Sequence, residues 1–211
     1  DIHAIAPDVP VILDAKRADI GNTNAGYVDA AFSFLQADAI TVHPYLGAEA
    51  LQPFLERADK GVIVLCRTSN LGAGEFQDLE IIPTAEEETC WGIGIGDNLE
   101  AATLKLYEYV AYKVSRNWNR RNNCALVVGA TYPEELRQVR EIVGDMPILI
   151  PGIGAQGGDV EKTVSVGKDS RGYGMIVNSS RGIIFASKGE DFAEVARRET
   201  EKLRDMINQY R

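Results

Sequence analysis

The chain has 211 residues, 45% hydrophobic and 25% charged, the balance of an ordinary globular protein with ample apolar side chain for a core. Lys plus Arg total 22 against 31 Asp plus Glu, a formal net charge of -9 without any basic stripe, which excludes a nucleic-acid reader. The longest apolar runs, such as 148–153, are far too short to span a bilayer, and three cysteines without metal-ligand spacing exclude a zinc or disulfide scaffold.

In chain order, short β-branched runs alternate with longer helical stretches. Strands are expected at 11–13, 39–42, 62–66, 125–128, 148–150 and 175–177, each a continuous apolar run of the kind buried on both faces of a parallel sheet. The first strand is followed by a helix that Asn22 or Thr23 would cap and that runs to about Gln36. After the third strand, the acid run 86–88 reads as a solvated helix start. A long helix is then expected from Asn98 to about Arg121, with Tyr107, Tyr109 and Tyr112 as packing or interface residues. Thr131-Tyr132-Pro133-Glu134 reads as a capping box, Thr131 at the N-cap and Glu134 at N3. Phe192, Val195, Leu203, Met206 and Ile207 keep a helical period to the C-terminus. Cys66 and Cys124 sit in strand runs and are expected as buried, reduced thiols of a cytoplasmic protein.

Strand–helix alternation without returning hairpins means α/β architecture with right-handed crossovers. A dinucleotide-binding sheet would place a glycine-rich turn after its first strand, but here Leu13 runs into Asp14-Ala15-Lys16. Polar residues instead close almost every strand, as the active face of a (β/α)8 barrel requires. Six strands are two short of closure. The expectation is therefore one TIM-barrel domain over 1–211, about six βα units, with the first two units absent and the open edges of its first and last strands prone to association.

Four strand-end motifs carry chemistry. Asp14 and Lys16, two apart on an extended backbone, project the same way, and Asp19 follows three residues later. Flanking carboxylates keep a lysine protonated as a proton donor, and a carboxylate aimed at a substrate carboxylate strains the ground state; the same array also reads as a salt-bridged loop. The glycine-rich run 150–158, with Gln156, and Ser180-Arg181 after the next strand stand where this fold binds phosphate, although each alone also fits a structural turn. Thr68 and Ser69, ahead of Gly72 and Gly74, would read an amide-like group or simply cap a loop. His43 before Pro44 reads as a hydrogen-bonded structural imidazole ahead of a general acid, and His3 has no context.

Together these residues resemble the orotidine 5'-phosphate decarboxylase family. Asp-x-Lys-x-x-Asp-Ile-x-x-Thr is realised as Asp14, Lys16, Asp19, Ile20 and Thr23, followed by Thr-Val-His-Pro-Tyr-Leu-Gly at 41–47, Pro-Gly-Ile-Gly-Ala-Gln-Gly-Gly from Pro151, and Arg181. The resemblance, with the long 66–125 stretch of the family's longer branch, implies a homodimeric barrel enzyme of UMP biosynthesis without metal or organic cofactor. It implies that Lys16 protonates C6 of the pyrimidine as carbon dioxide leaves, with Asp14 facing the departing carboxylate. Asp19, Ile20 and Thr23 would reach into the partner's site, with Thr23 on the ribose. Ser69 with Thr68 would read the pyrimidine, Pro151 would line the site, and Gln156 and Arg181, beside Ser180, would hold the phosphate. Leu71 stands where the family often has Pro, a difference expected to affect only the loop. The family's ribose-binding aspartate and second lysine precede the first strand and have no counterpart here, so the chain as given is expected to be N-terminally incomplete and impaired or inactive. Two alternatives remain at this stage. One is a magnesium-dependent sugar-phosphate decarboxylase or aldolase of the same superfamily, which Gly-Asn-Thr after Asp19 and the Gln156 loop disfavour. The other is a non-catalytic module that binds a phosphate ligand.

Overall fold

Each predicted apolar run forms a strand: the first begins at Ile12 and runs on to Arg17, the second keeps its bounds, and the others gain a residue at one or both ends. The structure, a computed structural model, describes residues 1–93, 102–153 and 159–211. They divide into two compact units, Asp1–Cys66 with Phe76–Leu126, and Arg67–Glu75 with Val127–Arg211.

The first unit opens with a short helix α1 (Ile2–Ile5) and strand β1 (Ile12–Arg17). Helix α2 (Gly21–Val28) continues as a π-type run over Asp29–Phe34 and is followed by β2 (Ala39–Val42), α3 (Gly47–Leu55) and β3 (Gly61–Arg67). β1 pairs parallel with β2, and β2 with β3. Ile40, Val42, Leu51, Phe54, Val62 and Val64 are all but inaccessible and form the core of this unit. Helix α2 begins at Gly21, so neither Asn22 nor Thr23 caps it. Asn24 does the anchoring instead, from inside the helix.

A two-stranded antiparallel ribbon, β4 (Glu80–Ile81) with β5 (Leu104–Lys105), is a departure from the hairpin-free reading. Two residues per strand carry no alternation pattern to detect, and a Lys105–Glu80 ion pair at 3.1 Å holds the register. Because β5 occupies 104–105, the predicted 98–121 helix starts late. Residues 98–101 lie outside the described residues, and α6 runs from Leu106 to Tyr112, its first turn closed by the Lys105 N–H donating to Glu108 at 2.7 Å. A π-type run over Lys113–Trp118 completes it.

The acid run is more than a solvated start. Thr84 caps α5 (Ala85–Trp91) in a reciprocal capping box with Glu87. Glu87 also receives the Tyr109 hydroxyl at 2.8 Å and pairs with Lys113. Trp91 stacks on Tyr112 and meets the edge of Tyr109, so Tyr109 and Tyr112 serve packing, as does the buried Tyr107. His3, unread from sequence, bonds Asp38 at 2.9 Å.

In the second unit the segment after β3 forms a 3-10 turn and a short helix α4 (Gly74–Gln77, the unit boundary falling within it), with Leu71 fully exposed. Strand β6 (Cys124–Val128), within which another unit boundary falls, leads to α7 (Pro133–Val143), β7 (Ile148–Pro151), α8 (Val160–Gly167), β8 (Met175–Asn178), the short α9 (Arg181–Ile184) and the long α10 (Phe192–Tyr210). β7 and β8 are parallel. The α7 start corrects the predicted capping box. Pro133 is the first helical residue and disfavours helical backbone at Tyr132, which pushes Thr131 one position too far out to cap. The Thr131 hydroxyl is left buried without a hydrogen-bond partner among the described residues.

Arg140 staples α7 to the turn before β7, to the end of α8 and to the residue before β8, donating to the carbonyls of Gly167, Met146 and Gly174 at 2.7–3.0 Å and also to Gly144. Within each unit the parallel strands stand in sequence order, β1-β2-β3 in the first and β7-β8 in the second, with helices between them. β2 and β6 are buried along their whole length, whereas β1 and β8 are half-exposed. No helix among the described residues is long and apolar enough to cross a membrane.

Candidate active site

Strand β1 breaks register where its charges lie. Leu13 pairs with Ile40 and Arg17 with Val42, so four steps along β1 match two along β2. Within this bulge Lys16 adopts φ +48, a left-handed conformation unusual for a residue with a Cβ. Regular alternation therefore does not set the side-chain directions; the bulge does. It still brings Asp14 and Lys16 together, Nζ to Oδ1 at 2.7 Å, with both side chains about half exposed and available to a ligand. Burial pushes the Asp14 carboxyl up, but hydrogen bonds from Lys16 and Thr41 and the lysine charge outweigh it and hold the group below its ordinary value.

Asp19 does not join this pair. Its carboxylate accepts the Ile20 N–H at 2.7 Å, and among the described residues it makes no ion pair with Lys16. Asp19, Ile20 and Thr23 are instead displayed around the start of α2, with Ile20 65% exposed. Asn24, fully buried, holds that segment. Its Oδ1 accepts the Asp19 N–H at 2.9 Å, and its Nδ2 donates to the carbonyls of Asp19 and Ala50, each at 2.6 Å. The His43 imidazole lines an apolar cavity of about 600 Å³ with Leu65, Tyr107 and Trp118. Among the described residues the ring has no hydrogen-bond partner, so the hydrogen bond expected of it is not found there.

In the second unit, Thr68 and Ser69 follow β3, the Thr68 hydroxyl donating to Asn70 at 2.7 Å. Ser69 packs so closely on Gly129 that a Cβ there would lie 2.8 Å from the serine's own Cβ, so glycine is required for this approach. Pro151 and Asn178 are register partners at the ends of β7 and β8. With Gly152, Ser179, Ser180 and Arg181 they line a small cavity of about 60 Å³. Arg181 is exposed and carries no ion pair among the described residues, which leaves its guanidinium available. Gln156 lies outside the described residues.

The model of the orotidine 5'-phosphate decarboxylase / HUMPS family matches residues 2–197. The chain belongs to this family.

Orotidine 5'-phosphate decarboxylases of Azoarcus sp. (strain BH72) and Ralstonia pickettii (strain 12J) are 50% and 51% identical to it over the whole chain, which spans 70% of the length of each. A structure of Leishmania donovani OMP decarboxylase superposes with a TM-score of 0.76 at 36% identity, over 98% of this chain and 72% of that one. The parallel βα succession is thus the α/β barrel fold of the decarboxylase family. Three buried polar residues near these groups were given no role by the sequence reading. They are Asn24, Thr41 and Arg67, the last buried with its guanidinium 4.2 Å from the centroid of the Tyr132 ring. Arg67 carried a detectable signal, a charge directly after an apolar strand. Asn24 and Thr41 carried none, since small polar residues in a helix or strand are common.

Proposed function

We propose that the protein decarboxylates orotidine 5'-phosphate to UMP, a carboxy-lyase step of pyrimidine biosynthesis. The observation that carries this reading is the Asp14–Lys16 pair, 2.7 Å apart on the β1 bulge, in a chain half-identical to named orotidine 5'-phosphate decarboxylases.

The residues of the first unit supply the chemistry. The substrate carboxylate on C6 sits against Asp14, whose ionised oxygen repels it in the ground state but not once it becomes neutral carbon dioxide. The C6–carboxylate bond breaks, its electron pair stays on C6, and the Lys16 ammonium delivers the proton that completes UMP. Solvent then reprotonates the lysine. The depressed pKa of Asp14 supports a carboxylate that stays ionised throughout.

In the second unit, Ser69 with Thr68 reads the pyrimidine, Pro151 lines the base, and Ser180 with Arg181 and Gln156 takes the phosphate. The exposed Arg181 guanidinium and the cavity it shares with Pro151 and Ser180 support that part. We further propose a homodimer in which Asp19 meets the partner subunit's Lys16 and Thr23 binds the partner's ribose. The turning of Asp19 away from its own lysine and the exposure of Ile20 and Tyr45 support it. The protein is proposed to be one cytoplasmic barrel domain, and its three free cysteines, two of them buried, fit a reducing compartment.

The test is the loss of orotidine 5'-phosphate absorbance with the full gene product, a chelator present and no metal added. Sustained turnover is expected. Turnover that appears only on adding magnesium, or only with sugar phosphates, would replace this reading with the metal-dependent one.

A further inference from the structure

The bulge in β1 takes the Lys16 N–H off the sheet ladder, and that donor needs a partner. Thr41 of β2, with no accessible surface, provides it: Oγ1 accepts the Lys16 N–H at 2.9 Å. A hydroxyl has one proton, and a backbone N–H only donates. The Thr41 proton is therefore free to point at Asp14, and Oγ1 lies 2.8 Å from Oδ1. The same Oδ1 receives Lys16 Nζ at 2.7 Å. The hydrogen bonds close a ring: Lys16 backbone to Thr41, Thr41 to Asp14, and Lys16 side chain back to Asp14. Both the Thr41 hydroxyl and one N–H of the Lys16 ammonium donate to Oδ1, so Oδ1 is a pure acceptor. Among the described residues, Asp14 Oδ2 has no partner and Lys16 is the carboxylate's one ion-pair partner.

We propose that Thr41 is a positioning residue for decarboxylation, its hydroxyl fixing the Asp14 carboxylate and the left-handed Lys16 backbone so that Oδ2 and Nζ face the substrate together. This rests on the decarboxylase reading of the Asp14–Lys16 pair. Thr41 touches no substrate itself; it acts through the two residues that do.

Thr41→Val keeps the shape and removes the hydroxyl, while Thr41→Ser keeps the hydroxyl and removes the methyl. In the full gene product, Thr41→Val is expected to lower kcat by about 10- to 100-fold, the loss that accompanies a reacting group displaced by about an ångström. KM should stay within about threefold, because phosphate and base contacts are untouched. Thr41→Ser should restore most of kcat. Should the valine variant not fold, Thr41→Cys, a weak donor of similar size, carries the same expectation.

A second readout does not use activity. The Asp14 carboxyl, followed by carbon-13 NMR, should titrate at higher pH in Thr41→Val and return towards wild type in Thr41→Ser. A wild-type kcat together with an unmoved Asp14 titration in Thr41→Val would overturn the proposal. So would a kcat loss that serine does not rescue. If the wild-type protein leaves orotidine 5'-phosphate unchanged while the Asp14 titration still moves, the decarboxylase reading falls and the positioning of Asp14 by Thr41 stands. If the wild type is active and the titration does not move, only the Thr41 proposal falls.

Discussion

Replacing Asn24 by alanine removes a fully buried amide that makes three hydrogen bonds, one to the Asp19 N–H at 2.9 Å and two to the Asp19 and Ala50 carbonyls at 2.6 Å. Each such neutral bond contributes about 1 kcal/mol net, so the loss is about 3 kcal/mol. Solvent reaching the Asp19 groups would recover part of it, while the Ala50 carbonyl, inside the α2–α3 contact, would lose its side-chain donor. For a chain of this length, 1 kcal/mol moves the midpoint by about 2–4 °C, so Asn24→Ala should melt roughly 6–12 °C below wild type. The isosteric Asn24→Asp should be at least as damaging, because it sets an oxygen against two carbonyl oxygens. The assay is thermal unfolding by circular dichroism, with urea titration to check that the slope is unchanged. A midpoint within about 2 °C of wild type for both variants would refute the claim that this amide pins the Asp19–Thr23 segment to α3.

Other outcomes rest on the same structure. Arg181→Ala should weaken UMP binding by about 10- to 100-fold, the worth of a charge-assisted pair, in an isothermal titration, and unchanged affinity would remove Arg181 from the phosphate site. Burial raises the Glu87 carboxyl, but Lys113, the Thr84 N–H and the Tyr109 hydroxyl together bring it down from 4.5 to about 2. Its stabilisation should be complete above pH 4.5 and fade as pH falls towards 2, so the gap between wild type and Glu87→Gln should narrow over that window; a constant gap would show that the ion pair is not the source. The Cys124 thiol is pushed up to about 12 by burial, and Cys66 is also buried, whereas Cys90 is exposed. A thiol reagent should therefore label one cysteine in the native protein and three after denaturation, and rapid native labelling of Cys124 would contradict its placement in β6.

Six strands were legible because each is a continuous apolar run long enough to be buried on both faces, and the Asp14–Lys16 pair was legible because charge directly after such a run is unusual. What sequence alone did not reveal depends on contacts distant along the chain. The two-residue strands β4 and β5 exist through their pairing with each other and carry no periodicity of their own. Thr131 looks like a cap by spacing, yet the constraint that Pro133 places on Tyr132 displaces it. The β1 bulge, the left-handed Lys16 and the buried hydroxyl and amide of Thr41 and Asn24 arise from how β1 meets β2 and how α2 meets α3. Asp14 and Lys16 were expected to converge by strand alternation; they converge because alternation is interrupted.

The most direct test of the central claim compares the full gene product with its Lys16→Ala variant in single turnover of orotidine 5'-phosphate, with UMP affinity measured on both. The account predicts that the wild type forms UMP, that the variant forms none detectable, and that UMP affinity changes little. Wild-type rates from Lys16→Ala would contradict Lys16 as the proton donor.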